Sequence, residues 1–135
     1  MAELKHPIQE AERYLENARQ ILSEKAGKDG NYYQDGKYVR MAGNTAWNGV
    51  LIALDGVLDV RKNLKSRQRP DIKDYQAAMS QKDSKMTRPL HVAYETLHLV
   101  LGYDGNLRYK IVQDGLEQAK FMIDWAKKNY QDKNN

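Results

Sequence analysis

Ala42-Gly43-Asn44-Thr45-Ala46-Trp47-Asn48-Gly49-Val50-Leu51-Ile52-Ala53-Leu54-Asp55-Gly56-Val57-Leu58 carries two interleaved rows at helical spacing. The first row, begun by Val39, runs through Gly43, Trp47, Val50, Leu54 and Val57. The second, Ala42, Ala46, Gly49, Ala53 and Gly56, steps by 4, 3, 4 and 3 and contains only small residues. Apolar positions recurring at this period define a helix face. A glycine inside a helix costs about 1 kcal/mol relative to alanine, so two in one row imply that a neighbouring backbone comes very close there. The third face, Lys37, Arg40, Asn44, Asn48, Asp55 and Asp59, is polar apart from Leu51 and reads as a narrow solvated edge. Two buried faces and one edge describe a central helix, expected over residues 36–62, with neighbours on two sides.

The neighbours are legible on either side of it. Ile8, Ala11, Leu15, Ala18 and Leu22 form one amphipathic stripe, with Pro7 suited to its first turn and Gly27 to its end. Beyond Pro70, a shorter periodic piece over residues 71–80 carries Ile72, Tyr75 and Met79, followed by a break or bend within 81–89. Leu90, Ala93, Tyr94, Leu97 and Leu101 then give a helix ending at Gly102 or Gly105. A last stripe, Val112, Leu116, Ala119, Ile123, Ala126 and Tyr130, predicts a helix roughly 36 Å long, with Asn106 as its N-cap. No stretch alternates with period two, so no sheet is expected. The expected fold is an all-α, antiparallel up-and-down bundle of four to five helices, one domain over residues 1–135 with a frayed tail at 131–135.

Composition agrees with a packed domain. The 135 residues are 41% hydrophobic with only 9 Gly and 3 Pro, enough apolar surface for one core and too little punctuation for a disordered chain. The absence of Cys removes disulfides, thiolate metal sites and thiol nucleophiles together. A net charge of +4 permits an acidic partner without demanding one. The first residues lack a signal-peptide pattern, and the longest uncharged stretch, residues 41–54, falls short of the roughly 20 apolar residues that span a bilayer. A cytoplasmic protein without membrane partners is expected.

Three groups of residues could carry chemistry. His91, Glu95 and His98 stand at i, i+4 and i+7, and Glu95 to His98 has the Glu-x-x-His spacing of carboxylate-bridged metal bundles. A straight helix would turn this trio about 120° from the centre of its own core arc, where ligands from other helices could not reach. A metal-dependent enzyme at these three residues therefore competes with a hydrated helix surface that has His98 at the core boundary. In the loop Gly27-Lys28-Asp29-Gly30-Asn31-Tyr32-Tyr33-Gln34-Asp35-Gly36, Tyr32 and Tyr33 could stack on nucleobases or else cap the end of the bundle. Arg61, Lys62, Lys65, Arg67 and Arg69 place five cations in nine residues, a pattern able to hold phosphates or to form a solvated turn. No cofactor motif and no catalytic nucleophile is evident.

Tyr14-Leu15-Glu16-Asn17-Ala18-Arg19-Gln20-Ile21-Leu22, the small-residue helix at 42–58, and Gly115-Leu116-Glu117-Gln118-Ala119 through Ala126 resemble the helices of HEPN domains, the higher eukaryote and prokaryote nucleotide-binding bundles. The tyrosine-rich loop, Ala42-Gly43-Asn44-Thr45-Ala46-Trp47 and Leu97-His98-Leu99 through Gly102-Tyr103-Asp104-Gly105 are similar to a small bacterial family of unknown function. The HEPN resemblance implies a helical bundle that forms homodimers. Many HEPN proteins are ribonucleases using an Arg, four to six intervening residues, and a His. No Arg stands at that separation before His91 or His98, and Lys85, with five residues between it and His91, lacks the planar fork that orients phosphate. The resemblance then implies a non-enzymatic accessory to nucleic acid or nucleotides, or a partner of a nucleotidyltransferase.

Overall fold

The computed structural model describes residues 6–61, 64 and 68–130. Lys62, Lys65 and Arg67 of the basic run, and the tail at 131–135, lie outside the described residues. The fold is all-α apart from one small hairpin. Helix α1 is Pro7–Ile21, carried on as a π-helical turn over Leu22–Ala26. The hairpin pairs β1, Lys28–Asp29, with β2, Tyr32–Tyr33. There follow α2 (Gly36–Asp55), α3 (Ile72–Lys82), a 3₁₀ turn at Ser84–Met86, and α4 (Thr87–Ala93), which continues as a π-helix over Tyr94–Leu101. Helix α5 is Tyr109–Asn129.

Side chains set most of the boundaries. His6 Nδ1 accepts from the Ile8 N–H at 3.2 Å, and Asp35 accepts from the Lys37 N–H at 3.0 Å, each satisfying a donor that a helix N-terminus leaves open. Asp71 and Asp74 exchange side-chain and backbone hydrogen bonds in a reciprocal box at the start of α3. Asp83 breaks the chain after α3. One of its oxygens accepts from the Lys85 N–H and the other from Trp125 Nε1 at 3.0 Å, so the bend is tied to α5. Pro89 sits in the first turn of α4, where its missing N–H costs nothing.

Four of the sequence expectations change. The central helix ends at Asp55 and not at Lys62, because Gly56 closes it and the chain folds back to bury Leu58 and Val60, which a straight rod would carry past the end of the core. A hairpin exists where no sheet is expected; strands of two residues are too short to show alternation, and Gly30, at φ +61°, supplies the left-handed residue of a two-residue turn. Asn106 caps a turn instead of a helix: its Oδ1 accepts from the Arg108 N–H, and α5 begins at Tyr109. The edge of α2 is only partly solvated. Asn44 Nδ2 donates to the Gly102 carbonyl at 3.2 Å and Arg40 Nε to the Tyr103 carbonyl at 3.2 Å, so two of its polar residues close the C-terminal end of the α4 rod.

Neighbouring rods run antiparallel. Gly49 lies against Ala11 and Tyr14 while Gly56 lies against Pro7, which sets α2 against α1 in opposite directions. Gly43 meets Leu97 and Leu101, and Trp47 meets Tyr94 and His98, which does the same for α2 and the α4 rod. Arg19 approaches Glu117, and Lys127 approaches Glu12, across α1 and α5. The small-residue row is thus the seam for α1, with Ala42, Ala46, Gly49 and Ala53 all buried. The core runs the length of the rods through Ile8, Leu54, Leu90, Leu97, Leu116 and Ile123, each at most 2% exposed. Burying each such side chain fully contributes about 1.5–3 kcal/mol.

Candidate functional site

The metal trio divides. His91 Nε2 contacts Glu95 Oε1 on the outer surface of the rod, with both side chains more than half exposed. His98 faces the other way, stacked between Tyr94 at 5.5 Å and Trp47 at 6.4 Å. The cause is the winding: from Tyr94 onward the rod is π-helical, and its wider turn rotates His98 away from Glu95 and toward α2. Nδ1 of His98 is buried with no hydrogen-bond partner. Among the described residues, no three His, Asp or Glu side chains converge as a metal-holding group. His6, the third histidine, is used as a helix cap and stacks on Tyr130 at 4.5 Å.

The two tyrosines and the described cations Arg61 and Arg69 lie at opposite ends of α2, which is about 30 Å long by its 20 residues. Tyr32 and Tyr33 belong to the hairpin before its first residue, whereas Arg61 and Arg69 follow its last. Arg61 lies close enough to Asp55 for its charge to favour the carboxylate. Burial outweighs that effect and pushes the Asp55 carboxyl above its ordinary value, while the Tyr75 hydroxyl, donating to it at 2.7 Å, acts in the opposite direction.

The two tyrosines also part. Tyr32 is 52% exposed, with its backbone bridged to Arg108, while Tyr33 is buried at 6%. The Tyr33 hydroxyl accepts from Gln113 Nε2 at 2.9 Å, and burial raises the pKa of the phenol, so it remains protonated. Tyr33 therefore caps the core, and Tyr32 is the ring presented to solvent. The Tyr33 N–H donates to the Leu107 carbonyl, and the Tyr109 N–H to the Asn31 carbonyl, so the hairpin is fastened to the chain entering α5.

That attachment builds a cleft which no sequence motif announces. It has a volume of about 370 Å³, between α1, the hairpin and α5. Arg19 reaches it from α1, Ser23 from the π-helical turn that follows, Lys28 from β1, and Tyr109 and Gln113 from the first turns of α5, with the buried Leu22 and Leu116 beneath. The Lys28 ammonium stands 4.0 Å from the centre of the Tyr109 ring, a cation–π contact that holds it in place. Only the four-residue spacing of Tyr109 and Gln113, one turn ahead of the Leu116 stripe, hinted at this wall. Lys25 and Lys37 flank the Tyr38 ring at 5.9 and 5.3 Å, so cations and rings alternate around this end of the molecule. A larger hollow, about 650 Å³, opens between Ile72 and Tyr94 and includes His91. Among the described residues, no helix is long and apolar enough to cross a membrane.

A solved structure of a protein of unknown function from Dyadobacter fermentans is 42% identical over 90% of this chain and 94% of its own, with a TM-score of 0.80. No curated protein matches. Residues 6–128 match the domain of unknown function DUF5618, and the chain belongs to that family.

Proposed function

We propose that this chain is a non-catalytic, HEPN-like accessory module that binds single-stranded nucleic acid at its hairpin end and acts as a homodimer, in the cytoplasm, beside a nucleotide-handling partner such as a nucleotidyltransferase. The observation that carries the reading is the alternation of cations with rings at that end: Lys28 on Tyr109, Lys25 and Lys37 on Tyr38, and Arg108 behind exposed Tyr32. Bases stack on rings and phosphates pair with cations, so interleaving the two is the chemistry a strand requires. The basic run at 61–69, of which Arg61, Leu64, Gln68 and Arg69 are described, is a second contact in this reading.

Fluorescence anisotropy with labelled single-stranded RNA and DNA at low ionic strength tests it. Replacing Lys25, Lys37 and Arg108 by Gln together with Tyr32→Ala should weaken binding at least tenfold, and added salt should weaken it steeply in the parent protein. Converting Arg61, Lys62, Lys65, Arg67 and Arg69 to Gln should cost less. Absence of binding, or binding indifferent to both sets, overturns the nucleic-acid reading. For the dimer, the α4 rod offers two exposed apolar side chains, Val92 and Leu99, 42% and 38% exposed. Light scattering should register a dimer that Val92→Asp with Leu99→Asp converts to a monomer.

A further inference from the structure

We infer that the cleft between α1, the hairpin and α5 is a binding site for the phosphate group of a small molecule. Size selects a small molecule, since about 370 Å³ falls near the lower end of the roughly 300–1,000 Å³ typical of ligand clefts and would not hold a folded partner. Charge selects an anion. Arg19 and Lys28 enter from different elements, and no carboxylate lines the cleft. Glu117, 71% exposed, touches Arg19 only at 3.8 Å, a rim contact that a bound anion would outcompete.

Geometry favours phosphate over carboxylate. Arg19 from α1, Lys28 and Tyr33 from the hairpin, and Tyr109 from α5 line the cleft with two charges and two phenols, a donor set that suits a tetrahedral dianion with three free oxygens better than a planar group with two. Because the Tyr33 hydroxyl accepts from Gln113, its own proton is free to be donated, and its raised pKa keeps that proton in place well into alkaline conditions. Lys28 covers one face of the Tyr109 ring, and Leu22 and Leu116 are 4% and 1% exposed, so the cleft offers a ligand mainly its charged and polar groups.

Calorimetric titration of the full chain with phenyl phosphate, inorganic phosphate, phenol and benzoate tests the assignment. Phenyl phosphate and inorganic phosphate should each bind at least tenfold more tightly than phenol or benzoate. Arg19→Gln and Lys28→Gln should each weaken it at least tenfold, and Arg69→Gln, beyond the opposite end of α2, should leave it unchanged. Both Gln replacements lie at partly exposed positions, and unchanged circular dichroism confirms that they fold. Benzoate binding as tightly as phenyl phosphate overturns the phosphate assignment. Phenol matching it, no measurable heat from phenyl phosphate, or equal binding by the Gln variants overturns the site. This inference does not rest on the strand reading. Loss of strand binding in the Lys25, Lys37 and Arg108 variant with phenyl phosphate retained would separate the two sites, and failure of strand binding in the parent protein leaves the cleft prediction standing.

Discussion

At the scale of single residues, the glycines of α2 show how close approach sets sequence. A methyl at Gly43 would stand 2.6 Å from Leu101 Cβ and 2.8 Å from the Leu97 carbonyl oxygen, with the Gly102 nitrogen at 2.9 Å. Two of these three are backbone atoms that cannot step aside, so the α4 rod would have to move. Gly43→Ala should therefore lose about 1–3 kcal/mol in chemical denaturation, overriding the roughly 1 kcal/mol that alanine gains in helix propensity. Gly49 meets Tyr14 Cβ at 3.0 Å and the Ala11 carbonyl at 3.1 Å, a looser fit, and its alanine variant should cost less than that of Gly43. His98 offers the opposite case. Its ring stacks on Trp47 and Tyr94, but Nδ1 is buried without a partner, an uncompensated desolvation. His98→Phe keeps the ring and removes the orphan acceptor, and should be neutral to stabilising by up to about 1 kcal/mol. A loss larger than that would mean that Nδ1 is satisfied in solution.

Among elements, α3 is attached to the end of α2 by a polar bond as well as by apolar contact. Tyr75 donates to Asp55 at the point where α2 ends, and both groups are shifted by burial. Because the folded-state carboxyl of Asp55 lies above its ordinary value of 3.8, the native state holds that proton more tightly than the unfolded chain does. Its contribution is fully present below the ordinary value and is lost as pH rises through the raised one. Asp55→Asn keeps an acceptor for Tyr75 and cannot ionise. The stability of this variant relative to the parent should thus improve between about pH 3 and about pH 7, as measured by urea denaturation at each pH. A difference independent of pH would show that Asp55 titrates normally. The same scale explains the metal trio: i, i+4 and i+7 share a face only on an α-helix, and the change to π winding at Tyr94 separates His98 from the other two.

For the whole molecule, apolar matching sets the arrangement of rods and surface charge does not. The cross-helix pairs Arg19 with Glu117 and Lys127 with Glu12 are solvent-exposed and 3.8 and 3.5 Å long. Replacing Arg19 and Lys127 by Ala should change the unfolding free energy by less than about 0.5 kcal/mol per pair, whereas a larger loss would assign them a part in orienting α5. The sequence by itself determined the helices, because burial stamps a 3.6-residue period on any rod with one wet face. It also determined that the small-residue row of α2 lies close against a neighbouring helix, α1, but not that the tighter backbone approach falls at Gly43 in the other row. It could not show where α2 ends, since Val57 and Leu58 continue the same period whether the chain runs straight or turns back. Nor could it show that Tyr33 is a core residue while its neighbour Tyr32 is a surface one, because strands of two residues have no period to read. The cleft of Arg19, Lys28 and Gln113 was decided by tertiary structure alone. Its residues lie as far as 97 positions apart, from 19 to 116, and local spacing carries no record of groups brought together only when the hairpin pairs with the approach to α5.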